Sequence, residues 1–278
     1  MNLRPQPFRT RRSGFTMVEI AISLAIIGIA LIAIVGVLPL GMNVQKENRE
    51  GTVVNQDATV FIEAIRNGMH RLDDLTNYVY AITNSWSEYN VNGALVVSGV
   101  NGYSYSSASI APQYYSIVTG SPINSGTNII GLLSTPEFTD ALTTLPINNL
   151  FNVDNNGNDY YSNHIVAYVR SISGPAVEKP PQDNQIIQAD AFGYRIYCVN
   201  APVAMDTNLA SLNSPYNQQL AVNLHELRLT FLWPQLPNGN VGSGRQTWRA
   251  LIAGQVATNI VAGNLLYFYQ PQTFGNAP

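Results

Sequence analysis

The chain has 278 residues, 14 of them Lys or Arg and 17 Asp or Glu, for a formal net charge of -3. That balance excludes a nucleic-acid binder by overall charge, so no nucleic acid is expected as a partner. The single cysteine, Cys198, excludes an internal disulfide; it sits in an apolar stretch, where a buried free thiol is expected.

The first 14 residues carry Arg4, Arg9, Arg11 and Arg12 and no acid. Basic residues abutting an apolar segment place this leader in the cytoplasm and everything after the segment on the far side. Without the leader's four arginines, 10 basic residues face 17 acidic ones, leaving a net charge near −7. Few residues are charged, and Asn, Ser, Thr, Tyr and Gly are abundant, as suits an extracytoplasmic surface. After Gly14 and Phe15 comes a long apolar run with one acid near its start, Glu19; the next charge is Lys46. Ile20 to Met42 would form about 35 Å of helix, enough to span the hydrocarbon of a bilayer. A cleaved secretory signal has a shorter apolar core, about 7–15 residues, and no cysteine follows to make a lipoprotein site. A lone carboxylate in such a segment costs about 2.5–3.5 kcal/mol at the bilayer centre, which calls for a partner.

The order Ser13-Gly-Phe-Thr-Met-Val-Glu19, behind a basic leader and ahead of an uninterrupted apolar run, resembles the processing site of type IV prepilins and type II secretion pseudopilins. The resemblance covers residues from about 9 to 70. It implies that a prepilin peptidase cuts after Gly14 and that Phe15 becomes an N-methylated first residue. It also implies that Glu19 pairs with the N-terminal amine of a neighbouring subunit during assembly. An amine freed at Phe15 has a reference pKa of about 7.7–8.0 and is largely cationic near neutrality. A carboxylate four positions on lies one helical turn away on the same face, within reach in its own chain or across to a neighbour. The alternative is a Glu19 that rests, solvated, at headgroup depth. The implied partners are the prepilin peptidase, other pilin-like subunits and inner-membrane lipid. The segment VLPLGMNVQKEN with the amphipathic stretch after it also resembles prepilin-like proteins of the Verru_Chthon cassettes. Many type IV pilins close a C-terminal loop with a disulfide; its absence here, with the chain's large size, points to a minor pilin or a pseudopilin.

Farther along, Pro39 removes a backbone hydrogen bond and is expected to kink the helix. The expected segments are a leader over 1–14, a membrane and assembly helix over 15–43 and an amphipathic continuation over 44–73. In the continuation Val54, Ala58, Phe61, Ile62, Ile65, Met69 and Leu72 recur at spacings of three and four, an apolar stripe that packs on a globular domain. Asp57 and the other charges are read as lying mostly off the stripe, and Gly51 and Gly68 as tolerated within the helix.

Residues 74–278 read as a β-rich extracytoplasmic domain with a loop-rich insertion over about 76–162. There the short apolar runs Leu95–Val97, Tyr114–Val118 and Ile129–Leu133 read as short strands. The insertion is dense in tyrosine with Ser, Gly and Asn, a palette shared with recognition loops; part of an ordinary β domain is the favoured reading. Asp154, Asn156 and Asp159 are a weak candidate for Ca²⁺ ligands. Gly157 is misplaced for the common twelve-residue loop and no bidentate Glu follows, so an Asn-Gly turn is favoured and no metal or other cofactor is expected. The clearest strands are His164–Ile172, Phe192–Val199, Leu224–Trp233, Thr247–Ala253 and Leu265–Tyr269. In the third, Leu227, Leu229, Phe231 and Trp233 alternate with Glu226, Arg228 and Thr230, giving one buried and one wet face.

The fold class expected is α+β: a long N-terminal helix packed on a mainly antiparallel β-rich domain, the pilin-like architecture. His70, His164 and His225 have no neighbouring ligand at metal spacing, and no nucleophile elbow, phosphate loop or dinucleotide fingerprint occurs. No enzymatic activity is expected. The function expected is a structural subunit of a type IV pilus-like or type II secretion filament, held in the bacterial inner membrane by one pass before assembly. The alternative is a singly anchored β domain that binds a glycan or protein and never polymerises.

Overall fold

The computed structural model describes residues 14–68, 73–104, 116–117, 123, 125–147, 159–172, 192–203, 215–236, 239–261 and 263–275. The chain divides into two compact units, Met1–Arg49 and Glu50–Pro278. Helix α1 (Met17–Asn67) contributes to both. In the first unit its apolar side chains are exposed, and an 18-residue window is apolar enough to cross a membrane with 0% of it buried. Pro39 lies inside α1 and the helix continues to Asn67.

The second unit is an α+β domain. Its eight-stranded sheet runs β3-β2-β1-β5-β6-β7-β8, with β4 also paired to β5. The strands are β1 (Val79–Tyr89), β2 (Leu95–Ser104), β3 (Ser116–Ile117), β4 (Phe138–Asp140), β5 (Tyr160–Arg170), β6 (Gly193–Pro202), β7 (Leu224–Gln235) and β8 (Val241–Ala253). All pairings are antiparallel except β2 with β3. A separate hairpin joins β9 (Gln255–Val261) to β10 (Asn264–Gln270). Two short helices, α2 (Gly126–Leu133) and α3 (Pro215–Asn223), complete the described elements with a 3-10 turn at Asp73–Asn77.

The stripe on the second half of α1 is buried as its spacing predicts: Val54, Ala58, Phe61 and Ile65 are fully covered, while Met69 and Leu72 lie outside the described residues. Phe61 meets Phe231 of β7 edge-on at 6.4 Å, and Phe231 in turn packs against Tyr194 at 5.3 Å and Trp248 at 4.9 Å. Strand β7 alternates along its length, with His225, Leu227, Leu229, Phe231 and Trp233 inside. Cys198 is a free, buried thiol on β6 that donates to the Leu133 carbonyl at 2.9 Å. Burial in apolar surroundings pushes its pKa far above the ordinary thiol value.

Two expectations are corrected. Ile129–Leu133 is not a strand but the body of α2. A short continuous apolar run suits either element; here helical geometry brings Gly131 against β10. A Cβ at Gly131 would fall 2.7 Å from Leu266 Cβ and 2.8 Å from Phe268 Cζ. Gly68 is not an interior helix residue: its φ is +64°, and it follows the last helical residue, Asn67, as a left-handed cap glycine does. The stretch read as short strands and long loops between about 76 and 162 also supplies a long one, β1, an 11-residue strand hydrogen-bonded on both sides, to β2 and to β5. Its polar sequence concealed it; the amide of Asn84 donates to Asn163 across the β1–β5 pair at 2.9 Å.

The sheet face away from α1 carries a second, smaller cluster of Tyr80, Ala81 and Tyr168. A register shift between Val79 and Ala81 lets the adjacent Tyr80 and Ala81 share it. Two arginines cap this cluster. Arg170 lies 4.4 Å over the Tyr80 ring and Arg195 lies 4.9 Å over the Tyr168 ring.

Candidate processing and assembly site

Helix α1 begins at Met17 because Thr16 caps it. The Thr16 amide donates to Glu19 Oε2 at 2.8 Å and the Thr16 hydroxyl to the same oxygen at 3.0 Å, while the Glu19 amide donates to Thr16 Oγ1 at 3.3 Å. This is a reciprocal capping box: the threonine satisfies one orphan amide of the first turn, and the acid three residues on satisfies another. The Ser23 hydroxyl donates to the Glu19 carbonyl at 2.7 Å, one turn farther on. Gly14 and Phe15 precede the cap in extended or irregular backbone, and Phe15 is 85% exposed. Nothing lies within 4 Å of a Cβ built on Gly14. Among the described residues nothing crowds this peptide bond, and Glu19 brings a carboxylate into the first turn of the helix that follows.

The structure therefore brings Gly14, Phe15 and Glu19 within one short segment. Pro39 lies more than five turns beyond. Asp154 and Asn156 fall outside the described residues. Asp159 stands just before β5, half-buried, with its backbone carbonyl accepting from the Ala141 amide at 2.9 Å. Among the described residues, no three His, Cys, Asp or Glu side chains gather as metal ligands would.

Of the histidines, His164 is exposed on β5 and His225 is buried on β7. The His225 ring packs against Tyr269 at 5.5 Å, and its Nε2 lies 3.2 Å from the Val222 carbonyl. Burial lowers its pKa to about 4, so it is neutral near pH 7.

One consequential side chain was placed wrongly by charge alone. Asp57 is 1% exposed, on the inner face of α1. Its Oδ2 accepts from the Tyr194 hydroxyl of β6 at 2.8 Å and from the Ile172 amide, just past β5, at 3.0 Å. Burial, then the neighbouring carboxylate charge, pushes the Tyr194 phenol well above its usual range, so it remains a donor. The signal was in the spacing: 57 stands three residues after Val54 and four before Phe61, on the stripe itself.

A basic leader boundary, an exposed Gly-Phe junction and a capped apolar helix with one acid in its first turn are the features of a prepilin-like N-terminal signature. Residues 9–35 match the family model described as the prokaryotic N-terminal methylation motif, the signature shared by prepilins and pseudopilins. No curated protein and no solved structure matches the chain. Proteins with this motif are structural; the motif implies processing by a prepilin peptidase and association with other pilin subunits.

Proposed function

We propose that this chain is a minor pilin or pseudopilin, a structural subunit without enzymatic activity in a type IV pilus-like or type II secretion filament. The peptidase removes residues 1–14, Phe15 becomes the methylated first residue, and the apolar part of α1 holds the subunit in the inner membrane with its β-rich domain outside the cytoplasm. The observation that carries this reading is Glu19, the one acid in the apolar part of a helix whose remaining side chains there are exposed and uncharged. Before cleavage, Thr16 satisfies the carboxylate. After cleavage, a cationic amine stands four residues away, and the carboxylate pairs with that of the next subunit as the helices stack. Breaking such a pair in apolar surroundings costs about 3–5 kcal/mol, enough to set the register of assembly. Pro39 gives the helix a weak point where it extends in the filament.

Two measurements test this. Mass spectrometry of the native protein's N-terminus is expected to find methylated Phe15. The variant Glu19→Leu is expected to enter the membrane normally and to be lost from filaments. A native product that keeps its arginine-rich head, or normal incorporation of Glu19→Leu, refutes the reading.

A further inference from the structure

Charge is segregated within the domain. From residue 72 to residue 169 the sequence has seven acids and no Lys or Arg. On the sheet face away from α1, by contrast, Arg195 of β6, Arg228 of β7 and Arg245 and Arg249 of β8 share one side. Arg228 and Arg249 are directly opposite in the β7–β8 register, an arrangement that destabilises a sheet. One carboxylate relieves it: Glu226 Oε1 lies 3.6 Å from the Nε of each. Arg195 and Arg245 have no carboxylate within ion-pair distance among the described residues. Apart from Arg170, which is buried over the Tyr80 ring, four guanidiniums against one carboxylate leave the β6–β8 part of this face at about +3 on a mature chain near −7. The Nε donors of Arg195 and Arg228 are buried without a hydrogen-bond partner. Arg249 is 70% exposed, and Arg245 lies four residues before it, about 13 Å away along the strand.

The opposite charge collects at one end of the β1–β5 pair. Glu88 is the next-to-last residue of β1, and Tyr161 hydrogen-bonds it. Asp159 precedes β5, and Glu137 precedes β4, where its carbonyl accepts from the Asn163 amide at 2.7 Å.

We propose that the arginine face of β6–β8 docks on the Glu88–Glu137–Asp159 end of a second copy of this chain. The argument is charge complementarity between two different surfaces of one chain. Such a contact is head-to-tail and non-closing, and so extends a helical stack instead of ending in a dimer. The proposal rests on the filament reading above and adds a second, extramembrane contact to it.

The test co-expresses two differently tagged full-length copies in their native membrane. One carries Arg249→Cys, the other Asp159→Cys, and disulfide formation is read between tags under mild oxidation. A parallel pair with Ile32→Cys in both copies reads association of the membrane helices. Both pairs are expected to cross-link. Reversing the face, Arg195→Glu with Arg245→Glu, is expected to lower the surface cross-link about tenfold or more. Reversing the acids as well, Glu88→Arg with Glu137→Arg, restores it, and the conservative Arg195→Lys with Arg245→Lys leaves it unchanged. That rescue separates lost docking from lost folding. Cross-linking of the Ile32→Cys pair alone overturns the docking proposal while leaving the filament reading standing; silence of both pairs overturns both. A reversal that spares the surface cross-link but abolishes retention of single-stranded DNA by the membranes also overturns it, and assigns the face to nucleic acid.

Discussion

Removing the Asp57 carboxylate should be among the most damaging single changes to the domain. Its Oδ2 accepts two hydrogen bonds, at 2.8 Å from Tyr194 and 3.0 Å from the Ile172 amide, in a site 1% exposed. A hydrogen bond to a charged group contributes about 1.5–3 kcal/mol, and a buried donor left without an acceptor costs about 1–3 kcal/mol. Asp57→Ala is therefore expected to cost about 3–5 kcal/mol, or roughly 6–20 °C in Tm for a domain of this size. Tyr194→Phe removes only one of the two donors and is expected to cost about 1–2 kcal/mol. Because the two side chains share a bond, the double variant should cost less than the sum of the singles by about 1 kcal/mol or more. Urea denaturation of the full chain in micelles, followed by the fluorescence of Trp233 and Trp248, measures all three. A cost below about 1 kcal/mol for Asp57→Ala, or strict additivity of the pair, refutes the idea that this carboxylate clamps α1 to the sheet.

Two further predictions follow from the core. His225 has a pKa lowered from 6.5 to about 4 by burial. The unfolded chain therefore binds the extra proton first, and stability falls as pH drops through that window: about 2 kcal/mol less at pH 5 than at pH 7. His225→Leu should flatten that part of the pH–Tm profile; an unchanged slope counts against a neutral buried imidazole. Gly131→Ala places a methyl 2.7 Å from Leu266 Cβ and is expected to destabilise by about 1–3 kcal/mol through overpacking, measurable as a lower urea midpoint.

What was legible in the sequence was local. Glu19 reads as consequential because its neighbours on the chain are all apolar, and its capping partner is three residues away. The Phe61 stripe and the alternation of β7 read directly because a helix or strand with one buried face repeats at its own period. The failures needed partners distant in sequence. Asp57 lies on the stripe, yet its burial is tolerable only because Tyr194 and the end of β5 arrive more than a hundred residues later. Strand β1 has too many amides and hydroxyls to resemble a core strand; its place comes from pairing with β2 and β5 on either side. Ile129–Leu133 is apolar throughout, so periodicity could not choose, and contact with β10 decided for helix. At the N-terminal site the residues were all readable, but the reciprocal use of Glu19 by Thr16 became visible only with the atoms in place.

The β8 margin of the main sheet has a bearing on how such a protein keeps its copies apart as separate subunits. Strand β8 is long but carries Arg245 and Arg249, bulky cations that repel a like copy laid alongside it in register. Uncontrolled ladder growth of the amyloid kind is thus discouraged at this border, and self-association is left to side-chain surfaces instead of a shared hydrogen-bond ladder.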